Sequence, residues 1–278
     1  MKFDPLIINL SLPKTSSSSL KDFCSEYVSA THESWHSGLT VAIIEYFQQR
    51  YDITSLLNYY TLRDIALEHK VDSSTFNHFI AADLVKSRSN SVFIYIYRDP
   101  ISWISSFLNM WLSFYYIHKH NLDNSTNLTS SVSWINWIND YSTLYSSHLN
   151  TSLVHQCSLD LFDKHCHSDI FQFLINDLAN FWMATSSNML NLTSSTNNIH
   201  IFSISNWHSL SKFIMTTLNV ASDPASNIVI PRSNQSDLKN YTEFKFDQEL
   251  IKDHLSSNLL NSIYECYDHL KSKHFISD

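Results

Sequence analysis

The stretch of sequence that decides the fold runs from residue 6 to residue 28 and reads LIINLSLPKTSSSSLKDFCSEYV. Its first seven residues are almost all apolar, which is typical of a strand buried on both faces of a parallel sheet. Pro13 ends this run, and a polar segment then leads into a helical pattern over residues 20–28. A strand, a short polar loop and a helix in this order predict the first unit of an α/β fold.

The same alternation continues along the chain. Residues 91–97 (SVFIYIY) are rich in β-branched and aromatic side chains and predict a second strand, and residues 199–204 predict a third. Helical patterns occur over residues 38–51, 76–86, 101–117, 134–145, 170–190 and 210–218. Asp72, Ser73 and Ser74 are expected to cap the helix over residues 76–86.

We therefore predict a single domain over residues 1–278, a three-layer α/β fold with a central parallel β-sheet flanked by helices. Residues 118–133 are rich in Ser, Thr and Asn and predict a polar loop or insertion. Residues 247–273 place Leu and Ile at helical spacing and predict a C-terminal amphipathic helix.

Composition excludes several classes of protein. The only glycine of the 278 residues is Gly38, so neither a GxGxxG motif nor a Walker phosphate loop can occur. The net charge of −8, with no run of five like charges, argues against a nucleic-acid-binding face. No apolar run suffices for a signal sequence or a membrane span, and the four cysteines do not form a CxxC pair. We therefore expect a cytoplasmic protein with no metal, no nucleic-acid partner and no membrane span.

The loop after the first strand has the chemistry of an anion site. The first N–H groups of a helix point toward the loop that precedes it, and the helix dipole favours a negative charge there. Lys14 adds a full positive charge, and the hydroxyls of residues 16–19 can donate to phosphate or sulfate oxygens. A serine-rich helix start beside a surface lysine is the simpler alternative.

A second loop of this kind follows the strand over residues 91–97. Arg98 stands at the end of that strand, where its guanidinium can bind a phosphate through two donors. Pro100 suits the first turn of the helix that follows. Ser106 lies two helical turns further, on the same side, and can donate to the same phosphate. The carboxyl ends of parallel strands are where an open α/β sheet binds its ligand.

Together the two loops resemble the signatures of the sulfotransferases, which transfer a sulfuryl group from 3′-phosphoadenosine 5′-phosphosulfate (PAPS) to a hydroxyl or amine. Residues 13–20 (PKTSSSSL) are similar to the family's Pro-Lys-Ser-Gly-Thr-Thr-Ser-Leu loop, and Arg98-Asp99-Pro100 with Ser106 is similar to its second signature. Residues 231–236 (PRSNQS) resemble a late segment that closes over the nucleotide.

The resemblance implies a P-loop nucleotide-transferase-like fold, the sulfotransferase fold, with PAPS as co-substrate and no metal. The nucleotide-binding residues that it implies are Lys14, Thr15, Ser16, Ser17, Ser18 and Ser19 for the 5′-phosphosulfate, and Arg98, Ser106 and Arg232 for the 3′-phosphate. Ser16 stands where the family has glycine. If this position requires a positive φ, serine costs about 1–3 kcal/mol of strain.

The resemblance also implies the catalytic groups. Lys14 would stabilise the bridging oxygen of the leaving phosphate, and a base would accept the proton of the acceptor. Family members use Glu or His for this purpose, and residues 31–36 (THESWH) follow the first helix. Glu33 is the first choice, with His32 and His36 as competitors.

The resulting hypothesis is a PAPS-dependent sulfotransferase that acts on a carbohydrate or a small molecule. A sulfotransferase-like domain that binds a nucleotide or a protein without turnover is the alternative. A P-loop kinase or nucleotide hydrolase would need a Gly-Lys-Ser/Thr loop, which the sequence lacks.

Overall fold

The structure is a computed structural model, and it describes residues 4–110, 140, 143–144, 169–220 and 246–273. Five strands form one sheet, in which all neighbouring strands are parallel. They are β1 (Ile7–Asn9), β2 (Ala30–Thr31), β3 (Val71–Asp72), β4 (Val92–Tyr97) and β5 (Ile199–Ser203), in the spatial order β2-β3-β1-β4-β5. The predicted α/β class with a central parallel sheet is therefore confirmed.

Helices connect these strands and cover both faces of the sheet. The described helices are α1 (Ser17–Ser25), α2 (His36–Phe47), α3 (Ile53–Leu67), α4 (Ala81–Ser87), α5 (residues 100–110), α6 (Asp169–Ser195), α7 (Trp207–Thr217), α8 (Gln248–Asp253) and α9 (Ser257–Ser272). A 3₁₀ turn, Asn77–Ile80, precedes α4.

Alternate side chains of the central strands pack into two hydrophobic cores, one on each face of the sheet. Ile7 of β1 and Ile94 of β4 pack with α1 and α7 on one face. Ile8 and Phe93 pack with the other helices on the opposite face. The helix that follows β1 and the helix that follows β4 thus lie on opposite faces, although the two strands are neighbours. The carboxyl ends of strands at such a reversal are the usual ligand position of open α/β sheets.

Two strands and one helix were not predicted. β2 and β3 have two residues each, which is too short for any alternation of apolar and polar residues to be recognised. In α3, Leu56 is buried whereas Leu62 and Ile65 are exposed, so apolar residues lie on both sides and conceal the helical period. Asp52 caps this helix by accepting a 2.7 Å hydrogen bond from the Ser55 N–H.

The predicted cap at residues 72–74 is wrong. Asp72 ends β3, and its buried carboxylate accepts hydrogen bonds from Arg63 and from the Ser74 N–H. The expected helix over residues 76–86 is instead the 3₁₀ turn followed by α4. The Asp72 side chain therefore forms a buried ion pair with Arg63 instead of capping a helix.

The C-terminal amphipathic helix predicted over residues 247–273 is also interrupted. Two helices, α8 and α9, form in its place. Ser256 is the N-cap of α9, and its hydroxyl accepts a 3.3 Å hydrogen bond from the Leu259 N–H. The predicted loop over residues 118–133 lies outside the described residues. Within the described part of the chain, every helix is too short or too polar to cross a membrane.

Candidate functional site

The two predicted anion loops lie side by side. β1 and β4 are paired in parallel, so the loops that follow them leave the same edge of the sheet. The indole Nε1 of Trp103, in α5, donates a 2.7 Å hydrogen bond to the Pro13 carbonyl. Arg98 donates to the Lys14 carbonyl at 3.4 Å. The second loop and its helix therefore hold the backbone of the first.

The first loop presents the N-terminus of α1 without a side-chain cap. The helix begins at Ser17, three residues earlier than predicted, and the Ser16 hydroxyl accepts no hydrogen bond from it. The Leu20 N–H donates to the Ser16 carbonyl, which closes the first turn at 2.8 Å. The N–H groups of residues 17–19 precede that bond, at the positive end of the α1 helix dipole. An anion is the favoured ligand at such a position.

Strained backbone is concentrated in this region. Seven described residues have a positive φ. Three of them end helices, where the left-handed conformation is common: Gln49, Glu68 and Asn219. The other four lie in the loops that follow β1 and β2: Lys14 (64°), Ser16 (73°), Glu33 (55°) and Trp35 (61°). Such clusters of strain occur at functional sites, where the surrounding structure maintains them.

Two cations, Lys14 and Arg98, lie in this pair of loops, and both are half-buried. Burial and the nearby Arg98 lower the pKa of Lys14. Burial lowers the pKa of Arg98, although the neighbouring Asp99 acts in the opposite direction. No carboxylate in the described ranges forms an ion pair with either side chain. Two desolvated positive charges next to each other favour the binding of an anion, which would relieve their repulsion.

The loop after β2 brings two of the predicted base candidates to α1. His32 Nε2 lies 3.1 Å from the Ser17 hydroxyl and 3.4 Å from the Ser18 hydroxyl. The carboxylate of Glu33 lies 3.6 Å from the same nitrogen. Glu33 also accepts a hydrogen bond from the Thr75 hydroxyl. An imidazole, a carboxylate and two hydroxyls thus meet at the start of α1.

His36, the third base candidate, has different neighbours. It begins α2, and its ring stacks on Phe76 with 6.4 Å between the ring centroids. Its Nε2 lies 3.7 Å from a carboxylate oxygen of Asp140, and neither of these two buried atoms has a hydrogen-bond partner. The structure therefore pairs His36 with Asp140 rather than with Glu33 and the serines.

The remaining predicted binding residues differ in what they can offer. Thr15 is buried and its hydroxyl donates to the Leu12 carbonyl at 2.5 Å, so its side chain is already engaged. Ser19 is also buried. Ser106 lies in α5 and is partly exposed. Arg232 lies outside the described residues.

Sequence reasoning missed the segment that holds the site from the other side. The Ser73 hydroxyl donates a 2.6 Å hydrogen bond to the Ser17 carbonyl, and Thr75 binds Glu33. Both residues follow β3, the neighbour of β1. Their signal was a polar cluster directly after a strand, but β3 is too short to be recognised as one. Asp140 carried no signal, and the aromatic pattern that includes Trp103 did not indicate its bond to the Pro13 carbonyl, because both roles depend on contacts between distant segments.

One group of side chains has the composition of a metal site. Asp64, His69 and Asp72 are buried, and one potential ligand atom of each lies within 4.8 Å of the others. Two arginines already neutralise the carboxylates: Arg63 binds Asp64 and Asp72, and Arg88 binds the other oxygen of Asp64 at 3.0 Å. This group is therefore the centre of a buried ionic network, and we assign it no metal.

No family model and no curated protein matches this chain.

Proposed function

We propose that the protein is a PAPS-dependent sulfotransferase with a P-loop-like sulfotransferase fold, which transfers a sulfuryl group to a hydroxyl or amine of a carbohydrate or small molecule. The observation that carries this proposal is the pair of half-buried cations, Lys14 and Arg98, beside the uncapped start of α1. Neither cation forms an ion pair within 4.0 Å with a carboxylate of the described residues, although Asp99 lies next to Arg98. A ligand with anionic groups at two ends matches two neighbouring loops that each carry one cation.

The roles proposed for these residues are those that the resemblance implies, and the positions of the two loops are compatible with them. The N–H groups at the start of α1 and the Lys14 ammonium would bind the 5′-phosphosulfate, and Lys14 would stabilise the charge that develops on the bridging oxygen. Arg98 would bind the 3′-phosphate together with Ser106. The position of Arg232 in this scheme rests on the resemblance alone.

Glu33 remains the first choice for the base. Its Oε1 is held by Thr75 and lies near His32, which fixes the carboxylate next to the start of α1. A fixed carboxylate can accept the proton of an acceptor hydroxyl while the sulfuryl group is transferred. His32 has the same location, whereas His36 lies beside Asp140.

Binding of 3′-phosphoadenosine 5′-phosphate, the product that remains after transfer, tests this proposal. A ligand that binds only the folded state stabilises it by about 2.7 kcal/mol at about 100 times its Kd. We expect a thermal shift with this bisphosphate, a smaller one with AMP, and loss of the shift in Lys14→Ala and in Arg98→Ala. Stabilisation by ATP without stabilisation by the bisphosphate would contradict the proposal.

Two matched variants control for the removal of positive charge. Lys21 lies in α1 but pairs with Asp22 at 3.2 Å, and Arg50 pairs with Glu45 at 2.5 Å on the surface. Lys21→Ala and Arg50→Ala should both retain the full shift. An equal loss in these controls would show that the shift depends on overall charge rather than on the two loops.

A nucleotide-binding domain without turnover is the second candidate, and Ser16 is the observation that favours it. This residue takes the left-handed conformation at the start of α1, where a serine stores strain that glycine would not. Transfer of radiolabelled sulfate from PAPS to a panel of acceptors separates the two candidates. Binding of the bisphosphate without transfer to any acceptor would favour this second function.

A further inference from the structure

The side chain of Trp35 has an unusual setting for an indole. Trp35 is the residue that precedes α2, and it adopts φ 61° and ψ 31°. Its side chain is 48% exposed. A bulky residue in the left-handed region is strained, and an exposed indole recovers only part of its possible burial energy. Folding alone does not explain why a large apolar side chain is held there.

A specific contact supports the indole from one side. The ring of Tyr59 meets it edge-on, with 6.4 Å between the centroids and 61° between the planes. The phenol of Tyr59 in turn lies over Gly38, where a Cβ atom would be 1.9 Å from the Tyr59 oxygen. The single glycine of the chain therefore stands where it admits the tyrosine that supports Trp35.

The indole is also close in the chain to the proposed base. Trp35 follows Glu33 by two residues, so their Cα atoms are at most about 7 Å apart. Both residues belong to the same strained turn. The indole and the proposed base are therefore carried by the same turn.

The chemistry around Trp35 selects one class of acceptor. An indole that is exposed on one side offers a flat, electron-rich face, which suits the C–H face of a pyranose ring. Carboxylates and imidazoles are its neighbours in the sequence: Glu33, His32 and His36, of which His36 lies 3.7 Å from Asp140. These groups accept hydrogen bonds from hydroxyls. The carboxylates and the net charge of −8 disfavour an acceptor that is itself an anion.

We propose that Trp35 is the acceptor-binding platform and that the acceptor is an uncharged sugar, bound with one ring face on the indole. The proposal rests on the proposed function for the reaction, but not for binding of the sugar itself. A flat aromatic acceptor would gain most from a slot that covers both of its faces, which a half-exposed indole does not provide.

Direct binding tests the platform independently of turnover. Cellopentaose, maltopentaose and chitopentaose serve as uncharged probes, with 2-naphthol as an aromatic probe and an oligoglucuronate as an anionic one. We expect one of the uncharged probes to bind and to quench tryptophan fluorescence. Its affinity should fall at least tenfold in Trp35→Ala and be partly restored in Trp35→Phe. Phe173→Ala removes another exposed aromatic side chain, 58% accessible in α6, and should leave binding unchanged.

The outcomes separate the two proposals. Binding of the bisphosphate nucleotide without Trp35-dependent binding of any uncharged probe overturns the platform and leaves the sulfotransferase proposal standing. Trp35-dependent sugar binding without nucleotide binding overturns the sulfotransferase proposal and leaves the platform standing. Preferential binding of 2-naphthol or the oligoglucuronate, or an equal loss in Phe173→Ala, also overturns the platform.

Discussion

At the scale of single residues, the scarcity of glycine has a visible structural cost. All seven left-handed positions of the described chain are occupied by residues with a side chain, and four of them lie in the two loops of the site. Gly38 lies in α2, where its role is to admit Tyr59. The protein thus keeps strained serine, lysine, glutamate and tryptophan at the site, where glycine would be the usual solution.

Ser16→Gly should stabilise the protein. The substitution relieves the strain at φ 73°, and a net gain of about 1 kcal/mol is expected after the added entropy of the unfolded chain. Urea denaturation measures the difference. Lys21→Gly, within the same helix, is the control and should destabilise by about 1 kcal/mol. A loss of stability in Ser16→Gly similar to that of the control would mean that Ser16 is not strained.

At the scale of elements, the site is made where four neighbouring strands end. The loop after β1 carries Lys14, the loop after β4 carries Arg98, the segment after β3 carries Ser73 and Thr75, and the loop after β2 carries Glu33. Hydrogen bonds link these segments: Arg98 to the Lys14 carbonyl and Ser73 to the Ser17 carbonyl. Because each bond joins two elements, the site is set by the order of the strands rather than by any single loop.

Thr75→Val should weaken the proposed base without affecting nucleotide binding. The substitution keeps the shape of the side chain but removes the hydroxyl that donates to Glu33. Since the carboxylate loses the donor that holds it, we expect the rate of sulfuryl transfer to fall by about tenfold, while the thermal shift with 3′-phosphoadenosine 5′-phosphate stays unchanged. Thr75→Ser retains the hydroxyl and should restore the rate. An unchanged rate in Thr75→Val would mean that this hydrogen bond does not position the base.

At the scale of the whole molecule, a buried ionic network joins segments that are distant in sequence. Arg88 binds Asp4 near one end of the chain and Asp64 in α3, while Arg63 binds Asp72 in β3. His69 lies within this network, 2% exposed, and burial lowers its pKa to about 4. The network lies directly behind the segment that carries Ser73 and Thr75, so its charge state bears on the position of the site.

His69 should make stability depend on pH. Its folded pKa of about 4 lies below the unfolded value of 6.5, so the unfolded chain binds a proton that the folded one does not. Neutral His69 therefore leaves the free energy of unfolding unaffected above pH 6.5 and lowers it as the pH falls toward 4. From pH 7.5 to 4.5, the free energy of unfolding of the wild type should fall by on the order of 2 kcal/mol more than that of His69→Gln. Urea unfolding at the two pH values measures this, with His208→Gln at an exposed histidine as control. Equal pH slopes in the wild type and in His69→Gln would contradict it.

The sequence by itself determined the α/β class, the two polar loops and the helices that follow them, because apolar runs and local polar clusters are read within a few residues. It also identified Ser16 as the position where a positive φ would matter. Only the tertiary structure decided that β1 and β4 are neighbours, that Arg98 donates to the Lys14 carbonyl, and that Thr75 binds Glu33. Strand order and contacts between distant segments depend on packing of the whole chain, which no local pattern records.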